Sequence, residues 1–342
     1  MTEGQAELVR RQPTLDTVAA EAGVSRATAS RVINGSPRVS PEVKRAVQDA
    51  IARVGYVPNR AARTLVRRRT DSVALVIREP NATVLADPYL ANIIVATSDE
   101  LIGTGVQLVL VNARNDDEHE RVADYVRGGH VDGVLLASMH GDDPLPGMLL
   151  AAGVPTVVGG RPPRRIPGLC YVDVDNLGGA QLATEHLLGA GRKRIATIAG
   201  PADMTAAADR LDGFGRALTE AGLTADRVVH GEFTHESGEL AMTTLLDRHP
   251  DLDGVFAAND LMAAGALRVL RASGRRVPDD VAVVGFDDID LARHTEPALT
   301  TVHQPVIHQA RLMTELLLTQ ISGEPGGDPV VLPTQLVRRD SA

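Results

Sequence analysis

The chain has 342 residues, 44% of them apolar but only 2% aromatic and none of them Trp, so it is long enough for two or three lobes whose cores must be built from Val, Leu, Ile and Ala. One cysteine, Cys170, excludes a disulfide framework within the chain and a Cys-based zinc site; it reads as a small buried hydrophobe in a protein of a reducing cytosol. The net charge of −9 hides a split, +6 over the first 71 residues and −15 over the remainder, the pattern of a polyanion-binding module joined to a soluble acidic body.

The N-terminal stretch MTEGQAELVRRQPTLD has no apolar signal region, and no later run approaches about 18 uninterrupted apolar residues. Neither export nor membrane insertion is expected. From Thr14 three helices can be drawn with their punctuation. Thr14 is placed to cap the first, which puts Leu15, Val18, Ala19 and Ala22 on one face and ends at Gly23. Ser25 caps the second after only Gly23 and Val24, and that helix runs to about Ile33 before Asn34-Gly35. A connection this short makes the two helices cross steeply, as in a helix-turn-helix. Thr28 and Arg31 then point away from Ala29, Val32 and Ile33. A third helix opens at Ser40 and Pro41 and carries Val43, Ala46, Val47, Ala50, Ile51 and Val54 at helical spacing up to Gly55.

The run VAAEAGVS, TASRVING, VSPEV and GYVPNRAARTL, from Thr14 through Leu65 without a gap, resembles the DNA-binding headpiece of the LacI/GalR family of bacterial transcriptional regulators. The resemblance implies that the second helix lies in the major groove of double-stranded operator DNA, with Arg26, Ala27 and Arg31 at base edges and Ser25, Thr28, Ser30 and Asn34 on phosphates. Thr14, Leu15, Arg38, Ser40, Tyr56 and Asn59 join this surface. PNRAARTL resembles the family's hinge helix, in which Ala62 matches the pattern and Leu65 takes the place of the apolar wedge inserted at the central base step. Arg67, Arg68 and Arg69 add sequence-independent attraction for the backbone.

Beyond the arginines, short apolar runs (VALVI, VQLVLV, DGVLLA, PTVVG, RIATIAG, GVFAAN, VAVVGF) alternate with stretches of about a helix's length. Repeated βα units of this kind imply parallel sheets with ligands at the carboxyl ends of the strands. The rival is a nucleotide enzyme, and G-x-G-x-x-G, G-x-x-x-x-G-K-[ST], G-x-S-x-G and H-E-x-x-H are all absent. His119, His230, His235 and His303 lack metal-site spacing. No catalytic residue, cofactor or metal is therefore expected.

VDVDNLGGAQLATEHLLGAGRKRIATIAGP, DRLDGF, GEFTHESG, VFAANDLMAAGAL, VPDDVAVVGFDD and ALTTVHQP resemble the same family's effector domain, which is akin to periplasmic sugar-binding proteins. The implied fold is a small all-α helix-turn-helix headpiece followed by an α/β periplasmic-binding-protein-like core of two doubly wound parallel-sheet lobes joined by three crossing strands. The implied boundaries are a tail over 1–13, the headpiece over 14–57, a hinge and linker over 58–71, and an effector-binding and dimerisation domain over 72–342. Its first lobe takes about 72–172 and 303–322, its second about 173–302 and 323–342.

Asn259 and Asp287 follow apolar strand runs and are the expected ligand contacts, with Asp260 as the cap of the helix after Asn259. Arg210 matches a ligand-clamping position, against surface pairing with Asp209 or Asp212. Phe233 either stacks on a sugar ring or packs in the core. Asp87 and Tyr89 resemble the first cleft loop. Gly160 and Arg161 stand where several sugar-responsive members have Asp. The function implied is a cytoplasmic, nucleoid-associated repressor that binds a near-palindromic operator as a homodimer and is released by a small-molecule effector, a carbohydrate. A sugar-binding receptor without a DNA role, a corepressor-type regulator responding to a purine or other metabolite, and a sugar-processing or nucleotide enzyme remain open on the residues alone.

Overall fold

The structure, a computed structural model, describes residues 13–33, 36, 38–56, 69–113 and 116–342. Contacts divide the chain into two units, Met1–Thr70 and Asp71–Ala342. In the first, helices α1 (Leu15–Glu21), α2 (Arg26–Ile33) and α3 (Pro41–Val54) are each opened by a hydroxyl. Thr14 accepts the N–H of Thr17 while the Thr17 hydroxyl accepts that of Thr14, a reciprocal box that satisfies two orphan donors. The Ser25 hydroxyl accepts the Thr28 N–H at 3.1 Å. Ser40 precedes Pro41, and Gly55 ends α3 in the left-handed conformation at φ 65. Val18, Ala29, Val47 and Ala50 are fully buried, a core of small side chains that lets three short helices approach closely.

In the second unit the apolar runs become two six-stranded sheets. The first has the order β11 (Val330–Leu332), β5 (Cys170–Val174), β4 (Thr156–Gly159), β3 (Gly133–Ala137), β1 (Ser72–Ile77), β2 (Gln107–Asn112). The second has the order β12 (Gln335–Val337), β10 (Thr300–His303), β9 (Ala282–Asp287), β8 (Gly254–Ala257), β6 (Ile195–Ala199), β7 (Val228–His230). Central strands are buried along their whole length, as β3 and β8 are, because helices cover both faces of each sheet. Those on the first are α4 (Asn81–Ala86), α5 (Pro88–Glu100), α6 (Asp116–Arg127), α7 (Leu145–Ala151) and α13 (Val306–Ser322). The second carries α8 (Asn176–Gly189), α9 (Thr205–Glu220), α10 (His235–Arg248), α11 (Asp260–Ala272) and α12 (Leu291–His294).

The chain crosses between the sheets after Val174, after His303 and after Leu332. This last crossing corrects the lobe boundaries taken from the sequence. Residues 330–332 belong to the first sheet, where Val330 pairs in parallel with Val172 and covers an edge of β5 that would otherwise present unpaired backbone groups. Residues 173 and 174 likewise complete β5 and stay with the first lobe. β12 then runs antiparallel to β10, so the second sheet is parallel except at this edge.

Gly213 marks where α9 meets α8: a Cβ there would stand 2.2 Å from the Leu177 carbonyl oxygen. Gly213→Ala should therefore force the helices apart and destabilise the core unit by about 1–3 kcal/mol in urea unfolding. Gly215→Ala, on the same helix with its nearest neighbour at 3.9 Å, should be neutral or stabilise by up to about 1 kcal/mol.

Candidate functional site

Two surfaces carry the candidate chemistry, one in each unit. In the headpiece Arg26, Ala27 and Arg31 are exposed along α2 while Ala29 is buried beneath them, and Thr28 and Ser30 are half-buried. Thr14, Ser25, Arg38 and Ser40 are exposed, Leu15 and Tyr56 half-buried. The hydroxyls of Thr14, Ser25 and Ser40 accept from the backbone as caps, and those of Thr14 and Ser25 also lie 3.2 and 2.9 Å from the hydroxyls of Thr17 and Thr28. Arg26 lies 3.5 Å from the exposed Asp16 carboxylate, a solvent-screened tether of little energy. Asn34, Asn59, Ala62 and Leu65 lie outside the described residues.

In the second unit a cavity of about 580 Å³ opens between the sheets. Its lining follows from the topology, because parallel strands deliver the residue after each carboxyl end to the same cleft. Asp87, Tyr89, Gly160, Arg161, Arg210, Phe233, Asn259 and Asp287 all line it. Arg210, 5% exposed, is the best-held charge. Its Nε donates to Asn176 Oδ1 at 2.9 Å, and Nη1 donates to the Ala258 carbonyl at 2.5 Å and to Asp287 Oδ1 at 3.3 Å. The guanidinium lies 3.7 Å from the Phe286 ring centroid and 5.8 Å from that of Phe233. The surface pairing weighed for Arg210 is not formed: Asp209 pairs with Arg161 and Asp212 with Arg216.

Asp287 closes β9 in the left-handed region at φ 108 and accepts from Gln304 Nε2 at 2.6 Å. Burial pushes its carboxyl up to about 7, against the opposing pull of Arg210. Asp87 caps α5 by accepting the Tyr89 N–H at 2.9 Å, and burial raises it to about 6. Burial raises the Tyr89 phenol as well.

Capping of α11 differs from the expectation. Residue 259 has the extended backbone that a cap requires, so Asn259 Oδ1 accepts the Met262 N–H at 2.9 Å while its Nδ2 donates to the Phe233 carbonyl at 2.9 Å. Asp260 is instead the first helical residue, fully buried, accepting the Ile289 N–H at 2.9 Å and the Thr301 hydroxyl at 2.5 Å. Its carboxyl is held well above the usual range by burial.

Phe233 adopts φ 56, and its ring lies against Gly200, where a Cβ would meet it at 2.3 Å. It therefore lines the cavity with its ring edge tucked over a glycine. Gly160 has φ 94, a conformation that penalises any side chain. The polar group comes one residue later: Arg161 Nη2 bonds both oxygens of Asp209 at 2.6 and 2.7 Å, joining β4 of the first lobe to α9 of the second.

A second junction of the lobes was not anticipated. His140 Nε2 lies 3.1 Å from Glu79 Oε1, and its Nδ1 lies 3.0 Å from Asp203 Oδ2 across the cleft. Ser138 donates to Glu79 at 2.6 Å, and the Gly141 N–H donates to the Asp203 carbonyl at 2.8 Å. These residues, with Asn176 and Gln304, share one sequence signal: each falls within four positions of the end of an apolar strand run.

A trihelical headpiece ahead of a two-sheet cleft lined by converging polar groups is the plan of a DNA-binding regulator that senses a small molecule. Residues 14–59 match the family described as bacterial regulatory proteins, lacI family, and residues 184–342 match the periplasmic binding protein-like domain. The transcriptional regulator CelR of Thermobifida fusca is 55% identical, over 97% of this chain and 99% of its own. The chain belongs to the lacI family of transcriptional regulators, which are not enzymes. A solved CelR–cellobiose complex, 52% identical, covers 97% of this chain and 100% of that one with a TM-score of 0.76. The lac repressor dimer bound to operator and the anti-inducer ONPF is 27% identical, over 97% and 99%, with a TM-score of 0.88. Among the described residues no helix is long and apolar enough to cross a membrane.

With a carboxylate at each nitrogen, the His140 imidazole is favoured in its protonated form, and the Glu79 hydrogen bond is the largest influence raising its pKa above 6.5. A raised histidine contributes stability that is complete below its unfolded pKa and lost as pH rises through the folded one. The melting temperature of the protein should accordingly fall as pH rises above about 6.5, and His140→Asn should flatten that part of the profile; equal slopes would remove His140 from the junction's energetics.

Proposed function

We propose that the chain is a repressor that holds a near-palindromic operator as a homodimer and lets go when a sugar fills the inter-lobe cavity, with cellobiose the first sugar to test. The observation that carries the ligand half is the convergence of Arg210, Asp287, Asn259 and Phe233 on one cavity. A fixed fork of donors, two acceptors and an aromatic edge suit a ring bearing hydroxyls on its rim and C–H groups on its faces. The cavity's 580 Å³ lies within the range of about 300–1,000 Å³ usual for small-molecule sites. The likeness to CelR, which was solved with cellobiose, supports the choice of sugar.

For the DNA half, α2 enters the major groove with Arg26, Ala27 and Arg31 at base edges, while Ser25, Thr28, Ser30 and Asn34 hold phosphates. Thr14, Leu15, Arg38, Ser40, Tyr56 and Asn59 fix the headpiece on the backbone. A hinge over 58–71, including Ala62, brings Leu65 to the minor groove as a wedge. The segment beyond it binds the effector and dimerises, and the protein works in the cytoplasm, on the nucleoid. The lac repressor dimer on its operator supports this arrangement. A sugar that binds the closed lobes better than the open ones shifts their balance, and with it the operator affinity, by about 1–3 kcal/mol.

Fluorescence anisotropy with a near-palindromic duplex tests both halves. Operator affinity should fall about 5- to 150-fold when cellobiose saturates the protein. Sequence-blind binding would overturn the regulator mechanism, and indifference to cellobiose would overturn the sugar. In the same assay Arg31→Ala should cost about 1–3 kcal/mol and relax preference at one base position.

A further inference from the structure

Six carboxylates line the cavity: Glu79, Asp87, Asp173, Asp203, Glu232 and Asp287. Three arginines share it, and each already has a carboxylate partner in the protein. Arg78 donates to the His140 carbonyl at 2.7 Å and lies 3.6 Å from the Asp143 carboxylate. Arg161 bonds Asp209 through Nη2, and Arg210 is held by Asn176, Ala258 and Asp287. His140, the remaining cationic group, lies between Glu79 and Asp203.

Helix starts are the other means of holding an anion. Those of α5, α10 and α11 on this cavity are capped by Asp87, Thr234 and Asn259. Of those without a side-chain cap, α4 and α9 have Glu79 and Asp203 directly before their cap residues, and α13 has the neutral Gln304 before Pro305, so at α4 and α9 the chain itself supplies the negative charge that a helix start attracts. Burial raises the pKa of Asp87 and of Asp173, and the neighbouring carboxylates of Glu79 and Asp209 add to the shift.

From this arrangement we infer that the cavity admits neutral sugars and rejects sugar phosphates and sugar acids. A phosphate entering it meets like charge at close range and finds every arginine already beside a carboxylate, Asp143, Asp209 or Asp287, whereas a hydroxyl donates to the free lone pairs of the lining carboxylates. The ligand must therefore reach the protein with its hydroxyls unmodified. The step that supplies it is an uptake or glycosidic cleavage reaction that adds no phosphoryl group, and the regulator reports the sugar ahead of any kinase. This inference rests on the sugar reading above and adds the charge class of the ligand.

Matched pairs test it on the full-length protein at constant ionic strength: cellobiose with cellobiose 6′-phosphate, glucose with glucose 6-phosphate, and trehalose with trehalose 6-phosphate. Thermal shift identifies the active pair and calorimetry measures it. The neutral member should bind, with its phosphate at least about 30-fold weaker, since like-charge juxtaposition costs several kcal/mol. In a Glu79→Gln, Asp203→Asn double variant that still binds the neutral sugar, the ratio should shrink several-fold; an unchanged ratio would overturn the role of these carboxylates. A phosphate outdoing its neutral twin removes the inference and leaves the sugar reading standing. Silence across every pair removes the sugar reading, and the inference with it.

Discussion

The buried guanidinium of Arg210 is the interaction on which the cleft depends. A charge with 5% exposure persists only if its donors are satisfied nearby, because an unpaired buried ion costs several kcal/mol. Its partners come from the start of α8, the end of β8 and the end of β9, and the Phe286 ring lies against it. Meeting those demands gathers three elements of the second lobe around one point, including the crossing from the first sheet at Asn176. The same bonds leave Asp287 and Asn259 facing the cavity with acceptor capacity to spare.

On the cleft side the lobes touch through contacts of a different kind. Arg161 with Asp209, and His140 with Asp203, are partly solvated pairs that each contribute on the order of 1 kcal/mol or less. The covalent crossings at Val174, His303 and Leu332 are permanent, whereas these polar junctions are marginal. A small molecule contacting both lobes competes with them on comparable terms, which is the energetic condition for a ligand to shift the balance between open and closed forms. The carboxylate-rich lining adds selectivity at the same site, because the groups that accept from hydroxyls also repel anions.

The headpiece meets a related economy with hydroxyls. Thr14, Ser25 and Ser40 each use oxygen lone pairs to start a helix on the exposed side of the headpiece. A small-residue core of Val18, Ala29, Val47 and Ala50 frees the outer face of α2 from packing duties. Exposed arginines there carry no structural burden beyond one weak tether to Asp16.

By itself the sequence determined the helix boundaries of the headpiece, the strand runs, and the positions after them from which Arg210, Phe233, Asn259 and Asp287 reach the cleft. Caps and hydrophobic periodicity act within about four residues, so they are readable along the chain. Only the tertiary structure decided which charges meet. Asp209 went to Arg161, 48 residues away, not to its neighbour Arg210. His140 found Glu79 and Asp203, 61 and 63 residues distant. Asn259 took the cap that had been expected of Asp260, and residues 330–332 joined the first sheet. Such choices depend on where strand ends converge and which edges need a partner, and those are properties of the assembled sheets and of no local stretch of chain.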